Sequence, residues 1–389
     1  MPVSIEFPPP APVDPEWQHI RLAGVTAKDI THDGSRYRGV KSVVYNILDQ
    51  RFDLIGVKSC QLSKRAKNFS RVINLRRKRS HWRFASDMNP WTFKYRSGVA
   101  EDYLRQHAGQ FDVVVQMDTL LAPGSLKEQR PYVIVTDNTY ALTHRYWPEW
   151  APMVPRHHRK WLALEGDVYR NASALFVWSE FTRRSMIDDY GVDPARVFAV
   201  GCGANLYDET LQKTQYDSHK ALYIGNDFER KGGYVMLEAW GRVREAIPDA
   251  ELLIVGPQRQ EAPDQDGVRW LGRIDHAELR KLYYQANQFV MPSLFEPWGM
   301  VLMEAMGLGL PCVVTNHNAA PEFITSGENG MLVPPGEAGP LADAMLTLLS
   351  DPDKAAALGK VAHGIILEHF TWDKVMGRIM PHLAAIARS

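Results

Sequence analysis

The clearest pattern of apolar and polar positions lies between residues 290 and 318. An apolar strand ends at Met291, a loop rich in proline and glycine follows, a helix is predicted from about Met300 to Met306, and a second apolar strand runs from Pro311 to Thr315. Strand, glycine-punctuated loop, helix and strand together predict one βαβ unit of a parallel sheet. Ligands of such sheets bind beyond the carboxyl ends of the strands, where this loop lies.

A similar rhythm of strands and helices runs through the rest of the chain and divides it into two halves. Apolar strands are predicted at 20–25, 54–57, 112–116, 132–135, 174–178 and 197–200 in the first half, and at 221–224, 251–255 and 268–271 in the second. A polar stretch without apolar periodicity, at about 205–219, is predicted to link them. A chain of 389 residues also exceeds the size at which one core keeps growing. The pattern therefore predicts an α/β fold of two doubly wound, Rossmann-like domains facing a cleft, at about 1–210 and 216–371.

Two carboxylates and a helix N-terminus surround the loop that follows Met291. Glu296 precedes the predicted helix, and Glu304 lies one to two turns inside it. The helix N-terminus beside Trp298 and Gly299 offers free backbone N–H groups and a positive dipole end, which suit a phosphate. The carboxylates can accept hydrogen bonds from sugar hydroxyls on either side, so a nucleotide sugar fits the arrangement. The alternative is a helix-start acid and a partly buried helix acid in an ordinary α/β domain.

A second loop carries two adjacent cations. The sequence GNDFERKGG begins at Gly225, after a predicted strand, and places Arg230 and Lys231 just before a helix predicted from Tyr234 to Ala246. Two cations and a helix N-terminus at one point would neutralise a diphosphate leaving group as the sugar–phosphate bond breaks. The alternative is a solvated charged turn.

Composition and charge are those of an ordinary globular protein. The chain is 45% hydrophobic and 23% charged, with a formal net charge of zero, so no global field recruits nucleic acid or a membrane. Cys60, Cys202 and Cys312 are too far apart and odd in number for a disulfide framework or a zinc site, which indicates a reducing compartment. The chain shows no leader pattern and no apolar run near the roughly 20 residues that span a bilayer. The expected location is the cytoplasm.

Residues 58–83 depart from this charge balance. The segment holds ten Lys or Arg residues interleaved with apolar and aromatic ones, and no acid occurs between Asp53 and Asp87. A basic amphipathic segment is typical of anion-binding or membrane-surface elements, at roughly 1 kcal/mol per charge near an anionic bilayer. Two interpretations stay open: peripheral contact with the inner membrane face or an acceptor, or a solvated helix and loop balanced by acids elsewhere.

The stretch from Pro292 to Glu304 resembles the signature of the retaining group-1 glycosyltransferases with a GT-B fold. The E-x7-E pair and the P-S-x-x-E-x-x-G frame are present, and the run that begins LFVWSEF at Leu175 is similar to the family's passage between its domains. The resemblance implies transfer of a sugar from a nucleotide-diphosphate sugar, UDP favoured, to a glycan, lipid-linked or other hydroxyl acceptor. It also implies that a C-terminal helix at about 372–389 crosses back onto the first domain. Since two cations and a helix dipole face the phosphates, no metal ion or cofactor is expected.

The resemblance also assigns roles to single residues along the chain. Donor binding falls to Gly34 in a loop after the first strand, Gly225, Arg230 and Lys231 at the diphosphate, Arg273 and Ile274 near the base, Glu296 at the donor sugar, the amides of Trp298, Gly299, Met300 and Val301 beside it, and Glu304 at the ribose. Retention is expected by front-face attack within an ion pair, with the leaving phosphate taking the acceptor proton. The sequence departs from the family where the usual downstream glycine pair is Ala319–Ala320.

Asp137 marks a further departure, at the end of the strand predicted at 132–135. Many family members carry a histidine there in a P-x-x-x-T-x-H context, and PYVIVTD puts Asp137 at its place. The carboxylate is a candidate base toward the acceptor hydroxyl or a contact of the donor sugar, counted with Arg230, Lys231 and Glu296 as catalytic. A helix cap is the alternative.

Two other functions share this pattern. One is a phosphorylase or epimerase on the same scaffold, in which free phosphate or water replaces the acceptor. The other is a protein that binds a sugar nucleotide or glycan without turnover. Retention of both glutamates and of the Arg230–Lys231 pair argues against the second, and phosphate-dependent release of a sugar phosphate would identify a phosphorylase.

Overall fold

The computed structural model describes residues 14–27, 39–123, 130–256 and 265–389. These residues divide into two compact units, which we call the N-terminal unit (14–201 with 376–389) and the C-terminal unit (202–375). Each unit is built on one six-stranded parallel sheet flanked by helices. The predicted α/β class with two doubly wound domains is therefore confirmed.

The N-terminal unit has the strand order β2-β1-β3-β4-β5-β6. Its elements are β1 Arg21–Thr26, α1 Val40–Arg51, β2 Asp53–Ser59, α2 Lys64–Ile73, α3 Arg79–Asp87, α4 Pro90–Gln106, β3 Val113–Met117, β4 Tyr132–Thr136, α5 Tyr140–Tyr146, α6 Pro155–Asn171, β5 Ala174–Val177, α7 Glu180–Asp188 and β6 Val197–Ala199. Short 3₁₀ turns occupy Pro15–His19, Pro148–Trp150 and Pro194–Arg196. Every residue of β3 and β5 is buried, as expected for parallel strands covered on both faces.

The C-terminal unit has the strand order β12-β11-β10-β7-β8-β9. Its elements are β7 Lys220–Ile224, α8 Gly233–Ala246, β8 Glu251–Val255, β9 Val268–Gly272, α9 His276–Gln285, β10 Gln288–Met291, α10 Met300–Gly307, β11 Cys312–Thr315, a 3₁₀ turn Ala320–Glu322, β12 Met331–Val333, α11 Ala338–Ser350 and α12 Pro352–His369. A last helix, α13 Trp372–Arg388, begins in this unit and contributes its residues from 376 onward to the N-terminal unit. The core of the C-terminal unit is a buried cluster that includes Met236, Trp240, Leu252 and Leu341.

Helix α4 begins at Pro90. Asn89 caps it: the side chain accepts from the backbone N–H groups of Trp91 and Thr92, and Thr92 Oγ1 accepts from the Asn89 amide. An Asn-Pro start with such a reciprocal cap stabilises the first turn even though the apolar pattern there is weak.

The stretch predicted as a linker packs within the C-terminal unit. The Tyr216 hydroxyl donates to the Gly309 carbonyl at 2.8 Å, and buried Asp208 pairs with Arg280. Polar side chains make these contacts, so the stretch shows no apolar periodicity although it is held in place.

Candidate functional site

The two loops singled out in the sequence meet at the carboxyl edge of the C-terminal sheet. One follows β7 and the other follows β10, and these strands are neighbours although about 70 residues separate them. The chain runs outward from β7 through β8 to β9 and from β10 through β11 to β12, so the strand order reverses between them. Such a reversal opens a crevice at the carboxyl ends of the strands, where ligands of doubly wound sheets bind. A backbone hydrogen bond of 2.8 Å from Leu294 N–H to the Arg230 carbonyl joins the loops.

The structure brings Arg230, Lys231 and Glu296 into direct contact. Arg230 Nη1 lies 3.3 Å from Glu296 Oε2, and Lys231 Nζ pairs with the same carboxylate oxygen. Arg230 is fixed from two further sides, because Nε donates to Asp227 Oδ2 at 3.1 Å and Nη1 donates to the Phe295 carbonyl at 2.6 Å. The exposed fractions of the three side chains are 9%, 12% and 19%. The cluster is preformed and largely desolvated, and the two cations that Asp227 and Glu296 balance can also bind an anionic ligand.

Glu296 is ionised in this cluster. Its burial raises the pKa, but the charges of Lys231 and Arg230 and their hydrogen bonds outweigh burial and hold the pKa below its usual value. The Glu296 backbone N–H in turn donates to Asn318 Oδ1 at 2.8 Å, which fixes the loop that carries the carboxylate.

Two glycines in the left-handed backbone region shape these loops. Gly232 has φ +72°, and a Cβ built on it would lie 1.8 Å from the Pro292 carbonyl oxygen, so only glycine lets the two loops approach this closely. Gly299 has φ +96° and caps α10. The α10 ladder begins with Leu302 N–H donating to the Gly299 carbonyl at 2.9 Å, so the Met300 and Val301 amides precede it, as at any helix N-terminus.

Trp298 reaches the site only through its backbone. Its side chain is 2% exposed and packs against the rings of Phe323 and Phe370, with centroids 5.0 and 5.6 Å away. The predicted use of amides from this segment agrees with that placement.

Glu304 is the one acid on the buried face of α10. It is 9% exposed, among Leu302, Met303 and Ala305, and Oε2 accepts from the Tyr283 hydroxyl at 3.2 Å. Burial raises the Glu304 pKa to about 7, against the smaller lowering effect of that hydrogen bond. A buried carboxyl group poised near neutral pH points to a ligand-binding role more than to a structural one.

The remaining predicted donor residues lie along the same edge. Gly225 follows β7; its N–H donates to the Val255 carbonyl at 3.0 Å, and a Cβ built on it would lie 3.0 Å from Lys231 Cγ. Arg273 and Ile274 follow β9, the outermost strand and two strands from β7, with Arg273 exposed. Gly34 lies outside the described residues.

Asn318 is a site residue that the sequence analysis did not identify. Asn318 lies in the loop after β11, and its φ of +56° places it in the left-handed region. Ala319, where a glycine pair was expected to begin, has φ −84°. Asparagine tolerates the left-handed region better than other non-glycine residues. Its Nδ2 is buried and, among the described residues, has no hydrogen-bond partner. The signal in the sequence was an asparagine directly before AAPE.

In the N-terminal unit, Asp137 lies just beyond β4. Its carbonyl accepts from Thr182 Oγ1 at 2.7 Å. The N-cap of α5 is Thr139 and not Asp137, because the Thr139 side chain accepts from Leu142 N–H. Asp137 therefore stays a candidate at the carboxyl edge of its sheet.

A cavity of about 620 Å³ in the N-terminal unit lies at the opposite edge of that sheet. Its lining includes Asp112, Pro131 and Ser173, which precede β3, β4 and β5. Ligands of such sheets bind at the other edge, so we do not assign the cavity to the site.

Over the described ranges, no three His, Cys, Asp or Glu residues form a group that could hold a metal ion. In the same part of the chain, no helix combines the length and the apolar character needed to cross a membrane. Cys60, Cys202 and Cys312 are buried and unbridged.

Comparison with known proteins agrees with this site. Residues 218–351, which hold both loops, match the model of the family described as glycosyl transferases group 1. The chain is 26% identical over 326 residues to a glycogen synthase of Mycobacterium tuberculosis, covering 78% of each chain. It is 30% identical over 224 residues to a phosphatidyl-myo-inositol mannosyltransferase of Mycobacterium leprae, covering 54% of this chain and 59% of that protein.

Two solved structures show the same fold over nearly the whole length. Sucrose-phosphate synthase from Thermosynechococcus elongatus superposes with a TM-score of 0.69 at 20% identity, covering 94% of this chain and all of that one. The Anabaena protein HepE, solved in complex with UDP, superposes with a TM-score of 0.66 at 16% identity, again covering 94% and 100%. The chain therefore has the GT-B fold, and its residues 218–351 belong to the family of glycosyl transferases group 1.

Proposed function

We propose that the protein is a retaining glycosyltransferase whose C-terminal unit binds a nucleotide-diphosphate sugar, with UDP as the favoured nucleotide. The observation that carries the proposal is the cluster of Arg230, Lys231 and Glu296 at the crevice between β7 and β10, with Glu304 on the adjoining helix. Support for UDP comes from the similarly folded HepE, which was solved with it.

The cluster provides the charge that the reaction needs. Glu296 pairs with both cations, and a bound diphosphate would share Arg230 and Lys231 with it. The Glu296 carboxylate would then accept hydrogen bonds from hydroxyls of the donor sugar, while the α10 amides of Met300 and Val301 face the phosphate. Glu304 would accept from the ribose hydroxyls, and Arg273 and Ile274 would lie near the base.

The proposed reaction breaks the bond between the anomeric carbon and the β-phosphate oxygen. The leaving electron pair stays on that oxygen, where Arg230 and Lys231 stabilise it. The acceptor hydroxyl attacks from the same face, its oxygen forms the new bond, and its proton passes to the leaving phosphate, so configuration is retained. The two side-chain cations supply the positive charge at the diphosphate, and we accordingly propose that donor binding needs no metal ion. Asp137 is proposed as a contact of the donor sugar, or as a base that would take the acceptor proton in place of the leaving phosphate.

For the acceptor, we propose a glycan or a lipid-linked hydroxyl. The lipid alternative is supported by the Mycobacterium leprae relative, whose name specifies a phosphatidylinositol acceptor. We further propose a cytoplasmic protein whose residues 58–83 contact the inner membrane face. The three unbridged cysteines and the basic character of that segment support this location.

The stereochemical outcome tests the retaining mechanism. Slow hydrolysis of an α-linked UDP-hexose in the presence of EDTA is followed by proton NMR before the released sugar mutarotates. An α-configured first product agrees with the proposal, and a β-configured one refutes retention. Loss of turnover in EDTA, restored by Mg²⁺, would refute the metal-free site. Formation of a sugar phosphate only when inorganic phosphate is added would identify a phosphorylase instead.

A further inference from the structure

Helix α2 buries polar side chains and exposes large apolar ones, which is the reverse of an ordinary surface helix. Its buried positions are Ala66 and Ser70, with Asn74 next on the same face at the C-cap. These polar groups are satisfied within the protein: Ser70 Oγ donates to the Ser86 carbonyl at 2.7 Å, and Asn74 Nδ2 donates to the Ser70 carbonyl at 2.9 Å. Hydrogen bonds therefore fix the buried face of the helix, and its large apolar side chains lie outside that face.

Those apolar side chains face outward. Phe69 is 50% exposed, Val72 75%, Ile73 49% and Leu75 70%. They are four of the eight exposed large hydrophobic side chains among the described residues, and they lie within seven consecutive positions. Scattered apolar residues are normal on a protein surface, whereas a contiguous patch marks an interaction site.

Aromatic side chains extend the patch along its edge. The Phe69 ring contacts Trp91 with centroids 5.0 Å apart, and Trp91 contacts Tyr95 at 5.6 Å. Trp82 is half-buried and donates from Nε1 to the Arg71 carbonyl at 2.8 Å, which links α3 to α2. Tryptophan and tyrosine are enriched at the headgroup level of membranes because one end is apolar and the other polar.

Cations surround the patch on both helices and on the turn between them. They are Lys64, Arg65, Lys67 and Arg71 on α2, Arg76, Arg77 and Lys78 in the turn, and Arg79 and Arg83 on α3. The first acid after them in the sequence is Asp87, which pairs with Arg96. An apolar patch ringed by positive charge complements a surface that is apolar below and anionic above.

We propose that the docking face, defined as residues 64–83 of α2, the turn and α3, binds an anionic phospholipid bilayer. Phe69, Val72, Ile73 and Leu75 enter the boundary between headgroups and acyl chains, and the flanking cations contact lipid phosphates. A second copy of the chain fits poorly, because it would bring nine cations against nine. A nucleic acid would pair with the cations and leave the apolar side chains in water. The inference rests on the proposed peripheral contact of residues 58–83 and is independent of the donor.

The test is co-sedimentation of the full chain with vesicles of phosphatidylcholine alone or with 30% phosphatidylglycerol. Binding should be at least tenfold tighter to the anionic vesicles. The double variant Val72→Ser/Leu75→Ser should weaken it at least tenfold, and both side chains are exposed enough to be replaced without loss of packing. Arg71→Gln should weaken it roughly fivefold, equivalent to about 1 kcal/mol for one charge. The matched control Val361→Ser, an exposed apolar change on α12, should bind as the wild type does.

Three results would overturn the proposal. Equal binding to neutral and anionic vesicles, or none to either, excludes the anionic surface. Full binding by Val72→Ser/Leu75→Ser, with tight binding of a single-stranded oligonucleotide, identifies a polyanion site. Concentration-dependent dimers that this double variant abolishes identify a second copy as the occupant. UDP affinity, measured on the same samples, should not change in any variant. Failure of the membrane proposal can therefore be distinguished from failure of the donor assignment.

Discussion

Replacing Glu304 by Gln tests the ribose-binding assignment through its dependence on pH. The wild-type carboxyl group is buried on α10, accepts one hydrogen bond from Tyr283, and has a pKa of about 7. Hydrogen bonds donated by ribose hydroxyls favour the ionised form, so donor binding should lower this pKa and release a proton. Glu304→Gln keeps the shape and an acceptor oxygen but has no proton to release.

The magnitude follows from the pKa of about 7 in the free protein. We assume that only the form with ionised Glu304 binds the donor. Protonation of Glu304 then raises the apparent Kd about 11-fold at pH 6 and about 1.1-fold at pH 8. Affinity should thus improve about tenfold from pH 6 to pH 8, or about 1.4 kcal/mol. At pH 8 the variant should bind about tenfold more weakly, because hydrogen bonds to a charged acceptor are stronger than those to a neutral one.

The same substitution should stabilise the protein without ligand. A carboxyl group whose pKa is raised by folding favours the folded state below its unfolded value of about 4.5, and that stability is lost as pH rises through about 7. Above pH 7 the ionised, buried Glu304 lowers the free energy of unfolding by up to about 3 kcal/mol, because folding raises its pKa from about 4.5 to about 7. Glu304→Gln should therefore unfold at a higher temperature than the wild type at pH 8, although it binds donor less well.

Isothermal titration calorimetry with a nucleotide sugar at pH 6, 7 and 8 checks these values. The sugar conjugate is used because its diphosphate is a diester without a titrating group in this range. At pH 7 the binding heat in two buffers of different ionisation enthalpy should report release of about half a proton from the wild type and none from the variant. Glu296 does not obscure the signal, because its pKa is held below its usual value and the group stays ionised over this pH range. Identical pH profiles for the two proteins, or no proton release by the wild type, would refute the assignment of Glu304.

Two further substitutions test the loop geometry. Gly232→Ala should destabilise the C-terminal unit by about 3 kcal/mol or more in denaturant unfolding, because its Cβ would lie 1.8 Å from the Pro292 carbonyl oxygen at a φ of +72°. The control is Gly241→Ala, in the middle of α8 with open space around it. This substitution should be neutral or stabilising by up to about 1 kcal/mol in the same measurement. Asn318→Gly keeps the left-handed backbone but removes the acceptor of the loop amide, so turnover of a sugar donor should fall about tenfold while UDP binding stays within about twofold. Unchanged turnover in Asn318→Gly would remove this residue from the site.

The sheet architecture could be predicted from the sequence because parallel strands are buried on both faces and appear as continuous apolar runs. VVVQM of β3 and ELLIV of β8 stand out from their polar flanks in this way. The glycine loops after β7 and β10 were visible for a related reason, since tight backbone approach leaves a specific residue type in the sequence. Gly232 and Gly299 are the clearest instances.

Other features depend on contacts between distant segments and left no local pattern. The pairing of Glu296 with both cations joins positions about 65 residues apart, so the sequence could suggest that all three face a ligand but not that Glu296 pairs directly with Arg230 and Lys231. Helix α2 departs from the usual apolar pattern for a different reason. Its buried face is Ala66, Ser70 and Asn74, so the usual equation of apolar with buried fails there.

The central claim is that Arg230, Lys231 and Glu304 bind the nucleotide of a sugar donor, and a thermal-shift screen tests it most directly. Wild-type protein and Lys231→Met are heated with UDP, GDP, ADP and their common sugar conjugates, with Lys360→Met, an exposed lysine on α12, as the control. One nucleotide at about 100 times its Kd should stabilise wild type and control by about 2.7 kcal/mol, or about 5–10 °C for a unit of this size. Loss of the Lys231 charge should weaken binding about 30-fold and reduce that gain to about 0.9 kcal/mol. No shift with any nucleotide, or an equal shift in Lys231→Met, would contradict the account.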